Sequence, residues 1–229
     1  RRGKTTVNVA WSNSHGVLIG DFIYSKAFML MNEIGNFKVI DELSSATNKI
    51  AEGELMQLAN KNNLDTSLQQ LKKISYYKTG RLFEASAKSA AMLSGKSISF
   101  IDNISKAAKL IGIAFQVRDD LLDYGISKGN IGKPEMQDIL EDKITYPLYF
   151  ALKSSSKKDS LKILKKLKNK DFSLEEVSDF VSSSSAFNKC NSLIQNYSDQ
   201  ISKCINKISN KEIRDEMLNL SESLKNRYE

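Results

Sequence analysis

The sequence predicts an all-α fold, and three observations carry that reading. Apolar residues recur at helical spacing nearly end to end, strand-like alternation is almost absent, and only two prolines and 11 glycines punctuate 229 residues. At this length one domain over residues 1–229 is expected, because such a chain buries most of the surface that its unfolded form exposes. Hydrophobic residues at 41% and charged residues at 27% exclude a disordered chain. No apolar run reaches the roughly 18 residues that a membrane-spanning helix needs.

The first helix is read from about Val7 through VLIGDFIYSKAFMLMNEI to Gly35-Asn36, a pair suited to ending a helix. A second, about Lys38 to Asn60, carries Val39, Leu43, Ala46, Ile50 and Leu58 on one side. The third begins near Ser67 and runs through ISYYKTGRLFEASAKSAAMLSG to Gly95, with small residues that permit close helix contact. A fourth spans about Ser97 to Tyr124. GISKGNIGKPEMQ follows, the longest stretch of loop composition and a natural place for functional residues. A fifth helix is expected over about Asp138 to Lys153, kinked or fixed in register by Pro147. Shorter amphipathic helices at about 158–169, 173–182, 186–208 and 211–227 complete the chain, without a fixed-period repeat.

The fourth helix contains FQVRDDLLDYG. On a helix Gln116, Asp119, Asp120 and Asp123 share one stripe, while Ile111, Phe115 and Leu122 fall toward another. Like charges so placed repel by roughly a few tenths of a kcal/mol per pair on an open surface, and by more where water is excluded. They also oppose the helix dipole near its C-terminus. A solvated acidic turn is the plain alternative. A divalent cation that keeps several waters and bridges to substrate phosphates answers the repulsion better, and it predicts a phosphorylated ligand.

The formal charge of +7 and pI of about 9.2 favour an anionic partner. Nucleic acid is not expected, since much of the lysine lies in KSSSKKDSLKILKKLKNK, an amphipathic helix with a basic solvent face. Cys190 and Cys204 lie in one helical pattern, too far apart to pair, which points to a reducing, cytoplasmic setting. His15 reads as a hydrogen-bonded helix residue, and no Ser-His-Asp constellation is available. The sequence opens on Arg-Arg-Gly with neither an initiator methionine nor a signal-peptide pattern, so a longer parent chain is expected.

Cations that could meet a diphosphate are Arg1 and Arg2 before the first helix, Lys78 beside Thr79, Lys133 in the glycine loop, and Lys143 after EDK. Taken in order, RRGKTTVNVAWSNSHGVLIGDFIYSKAF, YYKTGRLF, FQVRDDLLDYG and GNIGKPEMQDILEDKITYPL resemble the trans-isoprenyl diphosphate synthases, the polyprenyl synthase family. The terminal SLKNRYE is similar to the family's usual ending, so the resemblance covers the whole chain. It implies an isoprenoid-synthase-type bundle of antiparallel helices around a central cavity, normally a homodimer, with two aspartate-rich motifs facing each other across Mg²⁺.

By that resemblance Asp119, Asp120 and Asp123 of DDLLD correspond to the second metal-binding motif. Arg1, Lys78, Thr79, Gln116, Lys133 and Lys143 look like holders of the allylic diphosphate, and Arg2 like a ligand of isopentenyl diphosphate. Asp119, Asp120, Lys78 and Gln116 would carry the catalysis, and Asp21 would sit beside the cavity. The implied reaction ionises the allylic diphosphate, lets the isopentenyl double bond attack the cation, and loses a proton. No side-chain nucleophile is required, which suits a chain that lacks any Ser, Cys or His constellation. Apolar walls would keep water from the cation.

The first aspartate-rich motif of the family would lie just before Arg1. Gln137 and Asp142 stand where the family often has glycine, and Gly80 where alanine is usual. TVNVAW with GDFIYSKAF is most like the long-chain, octaprenyl-type members, whose products become quinone side chains. The alternatives are a short-chain farnesyl or geranylgeranyl diphosphate synthase, a terpene cyclase or squalene-synthase relative, and a noncatalytic subunit of a heteromeric synthase. Contact with a membrane would be transient and come through the product.

Overall fold

Side-chain caps set where the helices begin. Ser12, Asn36, Ser67, Ser97, Ser156 and Ser173 each accept a first-turn backbone N–H through the side-chain oxygen, at 3.1–3.3 Å. Each such cap stabilises its helix by about 1 kcal/mol. The computed structural model describes residues 4–61, 63, 65–125 and 136–226, and every regular element among them is helical. In chain order these are α1 (Val7–Ala10), α2 (Asn13–Glu33), α3 (Phe37–Ala59), α4 (Leu68–Ser75), a π-helical turn (Tyr76–Gly80), α5 (Arg81–Leu93) and α6 (Ile98–Leu122). Then follow α7 (Gln137–Leu140), α8 (Tyr146–Ser154), α9 (Lys157–Asn169), α10 (Leu174–Ser182), α11 (Ala186–Ile205) and α12 (Lys211–Asn226).

Three expected helices are interrupted. The first breaks at Trp11–Ser12, where Ser12 is extended and caps α2 instead of continuing α1. The third carries the π-turn at its centre. The fifth is two helices, because Asp142 adopts a left-handed φ of 63° between them. Pro147 therefore kinks nothing. It occupies the first turn of α8, where its missing N–H would have had no intrahelical partner. Gly35 and Gly95 end α2 and α5 at φ 64° and 61°, as their positions predicted.

Helix α6 is the axis of the fold and packs against α5 and α11. Its Ile111, Val117 and Leu121 form one apolar cluster with Ile194, Ile201 and Ile205 of α11. Burial of each contributes about 1.5–3 kcal/mol. A second cluster joins Tyr124, Ile139 and Leu148 to Ile163 of α9 and Val177 and Val181 of α10, and it fixes the base on which the C-terminal end of α6 rests.

Glu42 of α3 ties that helix to α5 by accepting from Arg81 and, at 2.5 Å, from Lys88. Burial disfavours its ionised form, but these two cations outweigh burial and hold the carboxyl below its ordinary range. Helix α2 is different in kind. It buries no residue against the rest of the chain, and Val17, Leu18, Phe22, Ile23, Met29 and Leu30 are all exposed, Phe22 at 68%.

Candidate active site

The site begins at the π-turn. Such a turn shifts the register of a helix by about one residue, and it frequently marks function. Helix α3 presses directly on it: a Cβ added to Gly53 would lie 2.7 Å from the Lys78 backbone N and 2.8 Å from Tyr77 Cβ. Glycine at 53 is what lets the two backbones approach.

Lys78 from this turn, Gln116, Asp119 and Asp120 from α6, Asp138 from α7 and Lys143 from the α7–α8 connection line one cavity of about 330 Å³. Lys78 Nζ donates to Gln57 Oε1 at 2.7 Å and stands 3.2 Å from Glu54 Oε1. Lys143 Nζ pairs with Asp138 at 3.0 Å and Glu141 at 2.6 Å. Burial disfavours the Lys143 ammonium, yet the two carboxylates prevail and push its pKa up.

Gln116 is oriented from both ends. Its Oε1 accepts from the Thr79 hydroxyl at 2.9 Å, and its Nε2 donates to Asp120 Oδ1 at 2.9 Å. The other Asp120 oxygen accepts the Tyr146 backbone N–H at 3.2 Å. Asp120 is thus buried and held on both oxygens. Burial, then the nearby charge of Asp138, pushes its pKa up to about 8. Asp123 is pushed up to about 6 by the same two causes in the same order.

Of the residues singled out from sequence, the structure brings Lys78, Gln116, Asp119, Asp120 and Lys143 to one cavity wall, with Thr79 bonded behind it. Asp123 is not on that wall. Its two oxygens accept the N–H groups of Gln137 and Asp138, each at 3.1 Å, and so pin α7 to the end of α6. Asp21 is exposed on α2 and is not among the described residues that line the cavity. Arg1, Arg2 and Lys133 lie outside the described residues. His15 shares a 2.8 Å hydrogen bond with Ser12, as a helix-capping residue would. The positive φ near α7 falls on Met136, at 59°, and not on Gln137; that of Asp142 falls where glycine was expected.

Sequence reasoning missed Glu54, Gln57 and Asp138. The first two have no local signal, since their partner lies on another helix. Asp138 could have been found as the acid five residues before Lys143 in DILEDK. Among the described residues no group of three or more His, Cys, Asp or Glu side chains is arranged to hold a metal unaided. The cavity offers Asp119 and Asp120, with Asp138 nearby. An all-oxygen set of this size suits a hard cation that completes its shell with water and phosphate.

Residues 1–183 match the family profile for polyprenyl synthetase. The chain belongs to the polyprenyl synthetase family. Octaprenyl diphosphate synthase of Escherichia coli strain K12 is 42% identical over 152 residues, which are 66% of this chain and 47% of that protein. An all-trans-nonaprenyl-diphosphate synthase of Rhodobacter capsulatus is 35% identical over 191 residues, 83% of this chain and 58% of that one. The chain spans about half the length of the curated relatives it matches. A crystal structure of a Caulobacter crescentus polyprenyl synthase, complexed with calcium and isoprenyl diphosphate, superimposes with a TM-score of 0.93. It is 27% identical, and the match covers 100% of this chain and 71% of that one. The chain therefore has the all-α fold of its family, and its Lys78, Thr79, Gln116, Asp119 and Asp120 lie inside the matched span.

Proposed function

We propose that the protein is a trans-prenyltransferase that condenses isopentenyl diphosphate with an allylic diphosphate, head to tail, to make a long-chain polyprenyl diphosphate for quinone side chains. The observation that carries this is one cavity in which Lys78 and Lys143 stand with Asp119 and Asp120. Anionic ligands for metal and cationic ligands for phosphate occur there together, and neither Cys nor His is among the described lining residues. The similarity to an octaprenyl and an all-trans-nonaprenyl diphosphate synthase supports the long-chain product.

In this reading Lys78 and Lys143, with Arg1 and Lys133, bind the allylic diphosphate, and Arg2 binds isopentenyl diphosphate. Thr79 holds Gln116, which in turn holds Asp120 in place. Asp119 and Asp120 would hold Mg²⁺, with Asp123 supporting them by pinning the start of α7. Bound Mg²⁺ supplies positive charge against the oxygens of the departing diphosphate. Leu71, Ile74 and Ile144 on the same cavity keep water from the allylic cation, whose capture would give an alcohol.

The reading treats residues 1–229 as one domain of a cytoplasmic enzyme. Two unpaired cysteines support the reducing compartment. Among the described residues no helix is long and apolar enough to cross a membrane. The uncovered apolar side of α2 supports a homodimer in which a second copy buries it.

The test is to incubate the protein, expressed from its complete gene, with labelled isopentenyl diphosphate, farnesyl diphosphate and Mg²⁺, and to separate the products by chromatography. Elongated products that disappear with Asp119→Ala are expected, and their length reports the class of synthase. A folded protein that incorporates no label overturns the reading.

A further inference from the structure

Helix α9 carries a second, separate concentration of charge. Ser160, Ile163 and Leu167 face inward and are buried, so the opposite arc is open. Leu161 lies on that arc, 56% exposed. Lys157, Lys158, Lys165 and Lys168 are four, three, four and seven residues from it, and so surround it on the same face, with Lys162 alongside. All five lysines are exposed, and none has an ion-pair partner among the described residues. The two remaining cations of the segment are engaged: Lys166 with Glu176 at 2.6 Å, and Lys170 with Asp142. Asp159, the one acid of the helix, is exposed at the edge of this arc, two positions from Leu161 and three from Lys162, and Ser156 donates to it at 2.6 Å.

We propose that this face of α9 docks the protein on an anionic lipid surface, with Leu161 entering the interface between the lysines. The charge complementarity is one-sided, since the arc bears five ammonium groups without ion-pair partners among the described residues against the single carboxylate of Asp159 at its edge. Basic residues at an anionic bilayer add attraction, and an apolar residue among them adds shallow burial. A polyanion such as RNA would use the same lysines but gain nothing from an isolated leucine. The Lys170–Asp142 pair ties the C-terminal end of α9 to the residue directly before Lys143. The proposal rests on the preceding reading in one respect: a long prenyl product needs a lipid phase to receive it.

The experiment is flotation of the full chain, without substrates, on phosphatidylcholine vesicles with and without about one third phosphatidylglycerol. Binding to the anionic vesicles alone, weakened by salt, is expected. Each lysine near such a surface is worth roughly fivefold in partition. The triple variant Lys158→Gln, Lys165→Gln, Lys168→Gln should therefore bind about a hundredfold more weakly, with unchanged circular dichroism. Leu161→Ser, which leaves the charge intact, should bind several-fold more weakly. No binding to anionic vesicles at low salt overturns the proposal. So does binding that the triple variant retains. Vesicle binding that Leu161→Ser leaves untouched, displaced equally well by RNA, identifies a general polyanion surface and also overturns it. Condensation is assayed separately in solution, where the α9 variants should match the parent. Loss of that activity in the parent would strike the enzymatic reading and leave the lipid result standing.

Discussion

Lys78 donates to Gln57 across 21 residues of sequence, and Glu54 on the same helix stands within ion-pair distance of the same ammonium. The lysine is thus aimed from behind by α3 before any ligand arrives. Removing the charge with Lys78→Met should lower kcat/KM by roughly a hundredfold or more, as expected for a fixed donor facing developing negative charge. Gln57→Leu removes only one neutral acceptor and should cost about three- to tenfold. Because both act through one ammonium, Gln57→Leu added to Lys78→Met should cost almost nothing further, which steady-state kinetics on the double variant will show.

The raised carboxylates make the stability of the metal-free protein depend on pH. Asp120 titrates at about 8 and Asp123 at about 6 in the folded chain, against an ordinary 3.8. A folded pKa above the unfolded one means that the native state holds the proton more tightly. The contribution is therefore full below about pH 4 and is lost as pH rises through 6 and then 8. Between pH 5 and 8, without divalent ions, the urea midpoint should fall, and Asp120→Asn should flatten the slope. Mg²⁺ binds the ionised form, so adding it at pH 8 should recover more stability than adding it at pH 5.5.

Much of this was legible before any coordinates. The helix starts expected near Ser67 and Ser97 coincide with the residues that cap α4 and α6, and DDxxD on an apolar helix announced a charged site because repulsion is local. The break at Ser12 and the π-turn at Lys78 were not legible. Helical periodicity runs through both unchanged: the break at Ser12 comes from its own side chain capping α2, and the π-turn depends on what presses on the helix from elsewhere, as Gly53 does. The role of Asp123 was hidden for the same reason: its partners are backbone N–H groups 14 and 15 residues onward. Glu54 and Gln57 looked like surface residues of an amphipathic helix until Lys78 was placed beside them.

The two left-handed residues flanking α7 should respond to glycine in different ways. Met136 and Asp142 have φ of 59° and 63°, and glycine relieves about 1 kcal/mol of strain at such a position. Met136 is also 5% exposed and packs in the second apolar cluster, where truncating a methionine costs about 2–5 kcal/mol. Burial wins, and Met136→Gly should destabilise by about 1–4 kcal/mol. Asp142→Gly gives up only a part-exposed pair with Lys170, worth about 0–1 kcal/mol, and should stay within about 1 kcal/mol of the parent. Urea unfolding of the two variants side by side decides the point.

Helix α6 and the π-turn approach closely, so that a Cβ on Gly112 would lie 2.6 Å from Gly80 Cα and 3.2 Å from Gly80 N. No flexible side chain can yield there, so the helices themselves must separate. Gly112→Ala should cost about 1–3 kcal/mol, the range for overpacking, even though alanine is the better helix former by about 1 kcal/mol. The displacement should also reach Lys78 and Thr79, because both sit in the turn that would be pushed. Lower kcat/KM should therefore accompany lower stability, and excess Mg²⁺ should not restore it. Gly20→Ala is the control: it lies on exposed α2 with nothing within 4 Å of the added Cβ. There helix propensity acts alone, and the urea midpoint should hold or rise. A Gly112→Ala protein as stable and active as the parent would mean that α6 and the π-turn do not meet this closely in solution.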